Sequence, residues 1–316
     1  MTQPIFQTED AALLTRAAPV LKWAGGKGQL LPQLRERYPK GLEHRTLTTY
    51  IEPFFGGGAV FFDLVKTCPG LEHIYLCDVN PELVLLYRVI QRDIDTLIEA
   101  LRGFEETYLS LDEEARKAFF YELRSSFNDV RGSIDFGRYS SEWVLRAAKT
   151  LFLNKTCFNG LFRVNRKGHF NVPHGRYKNP TILHEPRLRA AHEALRYAEI
   201  RLGDFAQIAE LADEKTFVYY DPPYRPISET ATFTSYAGAF GDDEQRRLAA
   251  LYRALDTKGA TQLLSNSDPT NYVDDPFFDD LYAGFCIERI DANRMINAKA
   301  SKRGAVREIL VRNYEV

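Results

Sequence analysis

A chain of 316 residues, 45% of them hydrophobic, is long enough to bury a substantial core in one or two domains, which excludes general disorder. No apolar run approaches the ~20 residues needed to cross a bilayer, and the polar start from Met1 to Asp10 lacks the apolar stretch of a signal peptide, so a cytoplasmic protein is expected. The net charge of -2 excludes a uniformly basic coat but leaves room for one concentrated basic face, while the scattered Cys68, Cys77, Cys157 and Cys286 point to neither a disulfide framework nor a metal site.

Residues 1–20 show no sustained periodicity and read as an N-terminal tail or short surface helix. Leu47 to Ile51 reads as a strand, Gly56 to Gly58 as a turn, and Ala59 to Val65 as a packed helix. A second strand, His73 to Cys77, ends at Asp78, and Pro81 stands where a first-turn proline opens a helix. This is a βαβ unit followed by a helix. From Ile94 to Cys157 the spacing is helical, broken at Gly132 to Gly137. Phe162 to Val172 reads as a hairpin turning at Arg166, Lys167 and Gly168. Strands return at Ala198 to Leu202, Phe217 to Tyr220, Thr261 to Leu264 and Glu308 to Val311. The fold class is α/β, interrupted by an inserted segment of helices and one hairpin.

The sharpest motif is Asp221-Pro222-Pro223-Tyr224, directly after the apolar strand Phe217 to Tyr220, where a parallel sheet presents its working loops. Apart from a stiffened turn, it suits amine chemistry. The amino lone pair of adenine is delocalised into the ring and attacks poorly until acceptors polarise its hydrogens. The Asp221 carboxylate and Pro222 carbonyl can both accept, Pro222 and Pro223 fix the backbone, and Tyr224 offers a ring for an extruded base.

Glu52 to Gly58 supplies a second loop, in which Phe54, Gly56 and Gly58 let the backbone approach a nucleoside; a purely structural turn is the alternative. Phe61 occupies the third glycine place of the dinucleotide fingerprint, which disfavours a nicotinamide enzyme. Asp78 stands where a carboxylate accepts from ribose hydroxyls, and Asp204, ahead of Phe205, can accept from an adenine amine; either can instead cap a helix. Lys22 to Lys27 lacks the Ser or Thr of a phosphate loop. Its Trp23 and Lys27 suit the methionine end of S-adenosylmethionine, or else a core Trp beside solvated lysines.

Between Glu142 and Glu185 no acidic residue occurs, whereas Arg146, Lys149, Lys155, Arg163, Arg166, Lys167, Arg176 and Lys178 all fall there. Interleaved with Phe158, Phe162, Phe170 and Tyr177 and with Asn154, Asn159 and Asn165, they read as a surface for phosphates and base edges, or as a solvated face. His169 and His174 can touch phosphate or simply be exposed.

With these residues in order, the chain resembles the Dam-type DNA adenine methyltransferases from about Leu21 onward. Lys22 to Lys27, Glu52 to Gly58, Asp78-Val79-Asn80, Phe158 to Leu161, Phe170 to Pro173, Gly175 to Lys178, Asp221 to Tyr224 and Leu264-Ser265-Asn266 follow the family's sequence of motifs, that of the alpha group. The resemblance implies a Rossmann-like S-adenosylmethionine-dependent sheet with an antiparallel last strand, residues 21–80 and 185–316. A helical target-recognition domain with a β-hairpin, residues 81–184, is inserted into it. It further implies that Trp23, Lys27, Asp78 and Asp221 contact S-adenosylmethionine. Lys22, Leu161, Arg163, Pro173, Arg176 and Tyr177 face double-stranded DNA and read GATC, and a cognate restriction endonuclease can accompany the enzyme. Phe158 departs from the family's usual tyrosine, which removes a hydroxyl but keeps a ring that can wedge.

Two other functions compete. A DNA-binding protein on an inactive methyltransferase fold would not need both the Asp221 loop and the cofactor residues. Methylation of RNA or of a glutamine amide is chemically close, but Asp before Pro-Pro-Tyr, together with the hairpin, favours adenine in DNA. Carbon methylation of cytosine needs a nucleophilic Cys, typically after Pro, and no Pro-Cys dipeptide occurs.

Overall fold

A computed structural model describes residues 11–165, 167–225, 240–268, 270, 275–293 and 305–316. Arg166 at the expected hairpin turn and residues 1–10 of the expected tail lie outside the described residues. The chain opens with short helices Ala11–Leu14 (α1), Leu31–Arg35 (α2) and Lys40–Glu43 (α3), then enters Thr49–Glu52 (β1), Ala59–Thr67 (α4), His73–Asp78 (β2) and Pro81–Arg92 (α5). Helices Ile94–Ser110 (α6), Glu113–Asp129 (α7) and Glu142–Thr156 (α8) follow, before Glu185–Leu195 (α9) leads back to Ala198–Leu202 (β3). Thr216–Tyr220 (β4), Asp242–Thr257 (α10), Thr261–Ser267 (β5), Phe277–Leu281 (α11), Cys286–Asn293 (β6) and Ala305–Arg312 (β7) come last.

The seven strands form one Rossmann-like sheet in the order β3-β2-β1-β4-β5-β7-β6. Strands β3, β2, β1, β4 and β5 are parallel, and β7 lies antiparallel to both β5 and β6. Every residue of β1 and β4 is buried, the signature of strands covered on both faces. Strand β6, which sequence periodicity does not reveal, occupies the edge beyond β7. Parallel strands bring their carboxyl ends to one rim, so the loops after β1, β2, β3 and β4 meet there.

Helix α5 begins where its sequence dictates: the Asn80 side chain accepts from the Glu82 N–H at 3.0 Å and Pro81 fills the first turn. A cap of this kind stabilises by about 1 kcal/mol. One face of α5 rests on β2 and β3, and α8 packs on both α5 and α6. A single apolar core therefore runs from Leu76 and Leu83 through Leu97 and Leu101 to Phe120 and Phe152. Leu14, Ala17 and Val20 are buried in that same core. A second cluster, including Leu248, Tyr252 and Phe278, packs α10 and α11 against the opposite face of the sheet.

The expected hairpin is present but nearly without a ladder. Val164 and Phe170 make one antiparallel bridge, and the Asn165 side chain builds the turn by accepting from the N–H groups of Lys167 and His169. Phe162 and Phe170 turn into the core, and Asn128 of α7 bonds both backbone groups of Phe170, at 2.7 and 3.1 Å. Side chains thus supplement two cross-strand backbone bonds, Asn165 N–H to the His169 carbonyl at 2.9 Å and Asn171 N–H to the Arg163 carbonyl at 3.1 Å. Among the described residues no helix is long and apolar enough to cross a membrane.

Candidate active site

The loop after β1 owes its shape to glycine. Gly56 and Gly58 sit at φ 49° and 69°, and a Cβ on Gly58 would lie 2.5 Å from the Phe55 ring. The Trp23 side chain lies against the same turn, 3.1 Å from where a Gly56 Cβ would be, and stacks on Phe162 at 5.6 Å. Tyr87 Oη donates to the Gly56 carbonyl at 3.0 Å.

Asp78 ends β2 and locks two loops together. Its carboxylate accepts from Gly56 N and Asn80 N, each at 2.8 Å. Asn80, not Asp78, caps α5. Burial pushes the Asp78 carboxyl up to about 6 despite those N–H donors. At the end of β3, Asp204 caps the turn Phe205–Glu210 through Ala206 N at 2.8 Å and pairs with Arg247. Phe205, buried beneath it, meets Phe54 at 5.4 Å and Phe240 at 5.8 Å. An aromatic wall therefore stands beside the Gly56 turn.

The Asp221-Pro222-Pro223-Tyr224 loop leaves β4 at the same rim. Lys27, only 3% exposed, places its ammonium 2.5 Å from Asp221 Oδ1, 3.1 Å from Tyr224 Oη and 3.3 Å from the Gly25 carbonyl. Burial works against that charge, but Asp221, Tyr224 and Glu308 outweigh it and hold the Lys27 pKa well above its ordinary value. Burial also pushes Asp221 up to about 6, with Lys27 opposing. Tyr224 Oη donates in turn to Glu308 Oε1 at 2.6 Å. The buried Gln245 side chain donates to the Pro223 carbonyl at 3.2 Å, and Arg225 pairs with Asp242 and Asp275. Among the described residues no hydrogen bond to the carbonyl of the buried Pro222 is present.

The recognition candidates form a different surface. Phe158 is 53% exposed and Tyr177 40%; Lys22, Asn159, Arg163, Pro173, Arg176 and Lys178 are exposed as well, and Leu161 half-buried. Asn159 and Arg176 hold positive φ. Arg163 Nε donates across the hairpin to Asn171 Oδ1 at 2.8 Å, which sets the plane of the guanidinium. Lys155 stands apart, half-buried, its pKa lowered to about 8 by burial and by neighbouring Arg187.

Not every residue of the basic window faces outward. Arg146 is buried and grips Glu82 of α5 at 2.5 and 2.8 Å while donating to the Phe127 carbonyl at 2.9 Å. His174 is buried against Tyr108, Nε2 to Oη 2.6 Å. Asn154 bonds Lys22 N, Lys22 O and Gly160 O, each at 2.9 Å, tying the Trp23 loop to the Phe158 segment. All three are spent internally. Sequence reasoning passes over Glu308 and Gln245. The available signal is a carboxylate opening the apolar run Glu308 to Val311, costly to bury without a partner.

Residues 23–296 match the family described as D12 class N6 adenine-specific DNA methyltransferase. The chain is 47% identical over 298 residues to the Type II methyltransferase M.MjaIII of Methanocaldococcus jannaschii, covering 94% of this chain and 99% of that protein. It is 39% identical to the Type II methyltransferase M1.LlaDCHI of Lactococcus lactis subsp. cremoris, covering 94% and 95%. A DNA adenine methylase of Haemophilus influenzae is 32% identical, covering 92% of each chain. Matched over most of its length and aligned with these relatives nearly end to end, the chain belongs to the D12 class N6 adenine-specific DNA methyltransferases.

Proposed function

We propose that this enzyme moves a methyl group from S-adenosylmethionine to the N6 amine of an adenine extruded from duplex DNA, within GATC. The observation that carries the reading is the half-buried Asp221 carboxylate, fixed by Lys27 and followed directly by Pro222 at the sheet's carboxyl rim. Two acceptors at fixed positions draw on the two amine hydrogens and localise the nitrogen lone pair, while Tyr224 supplies a ring for the displaced base.

The rim also suits the cofactor. Asp78, half-buried and pushed up to about 6, gains from hydroxyl donors such as those of a ribose. Phe54 and Phe205 offer apolar walls for an adenine, with Asp204 at their edge, and the Gly56 to Gly58 turn leaves room for close approach. Trp23, against the Gly56 turn, and Lys27, beside Asp221, would face the methionine end. When bound, S-adenosylmethionine supplies an electrophilic methyl group.

Residues 21–80 and 185–316 would then form the catalytic domain and 81–184 the target-recognition domain. In DNA, Arg163 reads a guanine, with Lys22, Leu161 and Pro173 on neighbouring base edges. Phe158 and Asn159 fill the space left by the extruded base, and Arg176, Tyr177, Lys178 and Lys155 hold phosphates. Relatives named Type II methyltransferases support a cognate restriction endonuclease as partner, and the DNA substrate a cytoplasmic setting. Sequencing modified bases in DNA treated with the purified enzyme tests this. N6-methyladenine confined to GATC is the expected result; methylation centred on another sequence overturns the site assignment.

A further inference from the structure

The strand β7 brings one carboxylate to the rim that no motif announces. Glu308 is 8% exposed, with Oε1 accepting a hydrogen bond from Tyr224 Oη at 2.6 Å and Oε2, buried and without a hydrogen bond, 3.6 Å from the Lys27 ammonium. The same ammonium touches Asp221 at 2.5 Å. One cation therefore serves two carboxylates. A one-to-one pair with Lys27 would neutralise Asp221 and weaken it as an acceptor, because the ammonium already draws on its lone pairs.

We propose that Glu308 is a positioning residue that shares the Lys27 charge, so that Asp221 remains a strong acceptor for the adenine amine and takes the proton which N6 sheds on methylation. The inference rests on the adenine reading given above. As the N6 lone pair bonds to the methyl carbon, the pair of the carbon–sulfur bond leaves with sulfur. The cationic N6 then gives one proton to Asp221, which returns it to water after product release. Glu308 touches neither substrate nor methyl group in this scheme.

The charges around Asp221 agree with it. Lys27 lowers the Asp221 pKa and Glu308 raises it, burial being the largest influence. The other titratable neighbours are Tyr224, Tyr219 on β4 and Glu52 on β1, all shifted upward by burial, which favours their neutral forms. Removing the Glu308 charge should therefore lower the Asp221 pKa.

The test is the full enzyme carrying Glu308→Gln, which keeps an acceptor for Tyr224, assayed for kcat and KM across the acidic limb of its pH–rate profile. We expect kcat to fall about tenfold, the scale at which weakened acid–base assistance registers. KM for DNA and the Kd for S-adenosylmethionine should hold, which also certifies the fold, and the acidic limb should move to lower pH. Glu308→Asp, which keeps the charge, should return the limb toward the wild-type position. A limb that stays in place in Glu308→Gln, or a variant as fast as wild type, overturns the role of Glu308 alone. A wild-type enzyme that leaves adenine unmethylated overturns the underlying reading instead.

Discussion

The rim of the sheet and the proposed recognition surface use polar groups in opposite ways. At the rim Lys27 bonds Asp221 and Tyr224, Tyr224 bonds Glu308, and Asp78 is tied to Gly56 and Asn80, so these groups are held by one another before any ligand arrives. On the proposed recognition surface Phe158 and Tyr177 stand exposed, as do Lys22, Lys178 and Arg163, the last bonded only through Nε to Asn171. Chemistry requires dipoles fixed before the reaction, in a place that water does not screen. Recognition requires groups whose partners arrive with the ligand, and whose contribution is screened by salt until then. The contrast predicts all-or-none losses at the rim and graded, position-specific losses on the surface.

The largest effect is expected from Asp221→Ala, which should lower kcat by at least about 10²–10³, the scale of losing one preorganised polar contact to the reacting group. DNA affinity by filter binding should stay near wild type; a parallel collapse of both would erase the contrast. Next comes Arg146→Ala. It leaves Glu82 buried without its bidentate partner and should cost about 3–5 kcal/mol in urea unfolding, because an orphaned buried charge is expensive. A small loss would show that the recognition helices are loosely attached throughout and not only at their surface.

On that surface, Arg163→Ala should lose about 1–3 kcal/mol of discrimination at one base pair of the site, read from methylation of a panel of singly altered duplexes. Lys178→Ala should weaken every duplex alike and reduce the salt slope by about 1. A uniform loss for Arg163→Ala would place it on the backbone and remove the main physical support for GATC. The smallest effect concerns pH. Asp78 is pushed up to about 6 from an ordinary 3.8, so the folded cofactor-free protein binds its proton more tightly than the unfolded chain does. Its contribution to stability therefore falls as pH rises through that window. Asp78→Asn should gain on wild type between those two pH values in paired denaturant titrations; a constant difference would mean that the carboxylate is already solvated.

Much of this was legible because it is local. The βαβ unit follows from the apolar runs 47–51 and 73–77 and from Pro81, and the Asp221 loop from four consecutive residues. What escaped is long-range. Glu308 and Lys27 are 281 positions apart; the register of β7 against β5 sets Glu308 opposite Ser267, and the separate loop of Lys27 folds over to meet it. Strand β6 mixes Glu288, Arg289 and Asp291 with two isoleucines, and its identity as a strand comes from pairing with β7. The basic window was read as one face because charge counts carry no direction. Helix α8 turns Arg146 inward, toward an acid on α5 that lies 64 residues away.

The sheet order has a consequence for how the enzyme is made. Strand β6 is joined to the sheet only through β7, which lies between it and β5 although it is synthesised after it. During translation the edges of β5 and β6 must both wait for the same late segment, exposing two hydrogen-bonding edges at once. That segment also delivers Glu308. Closure of the sheet and completion of the Lys27 site are then one event, so a ribosome-bound chain stalled before β7 would hold Asp221, Tyr224 and Lys27 without the second carboxylate.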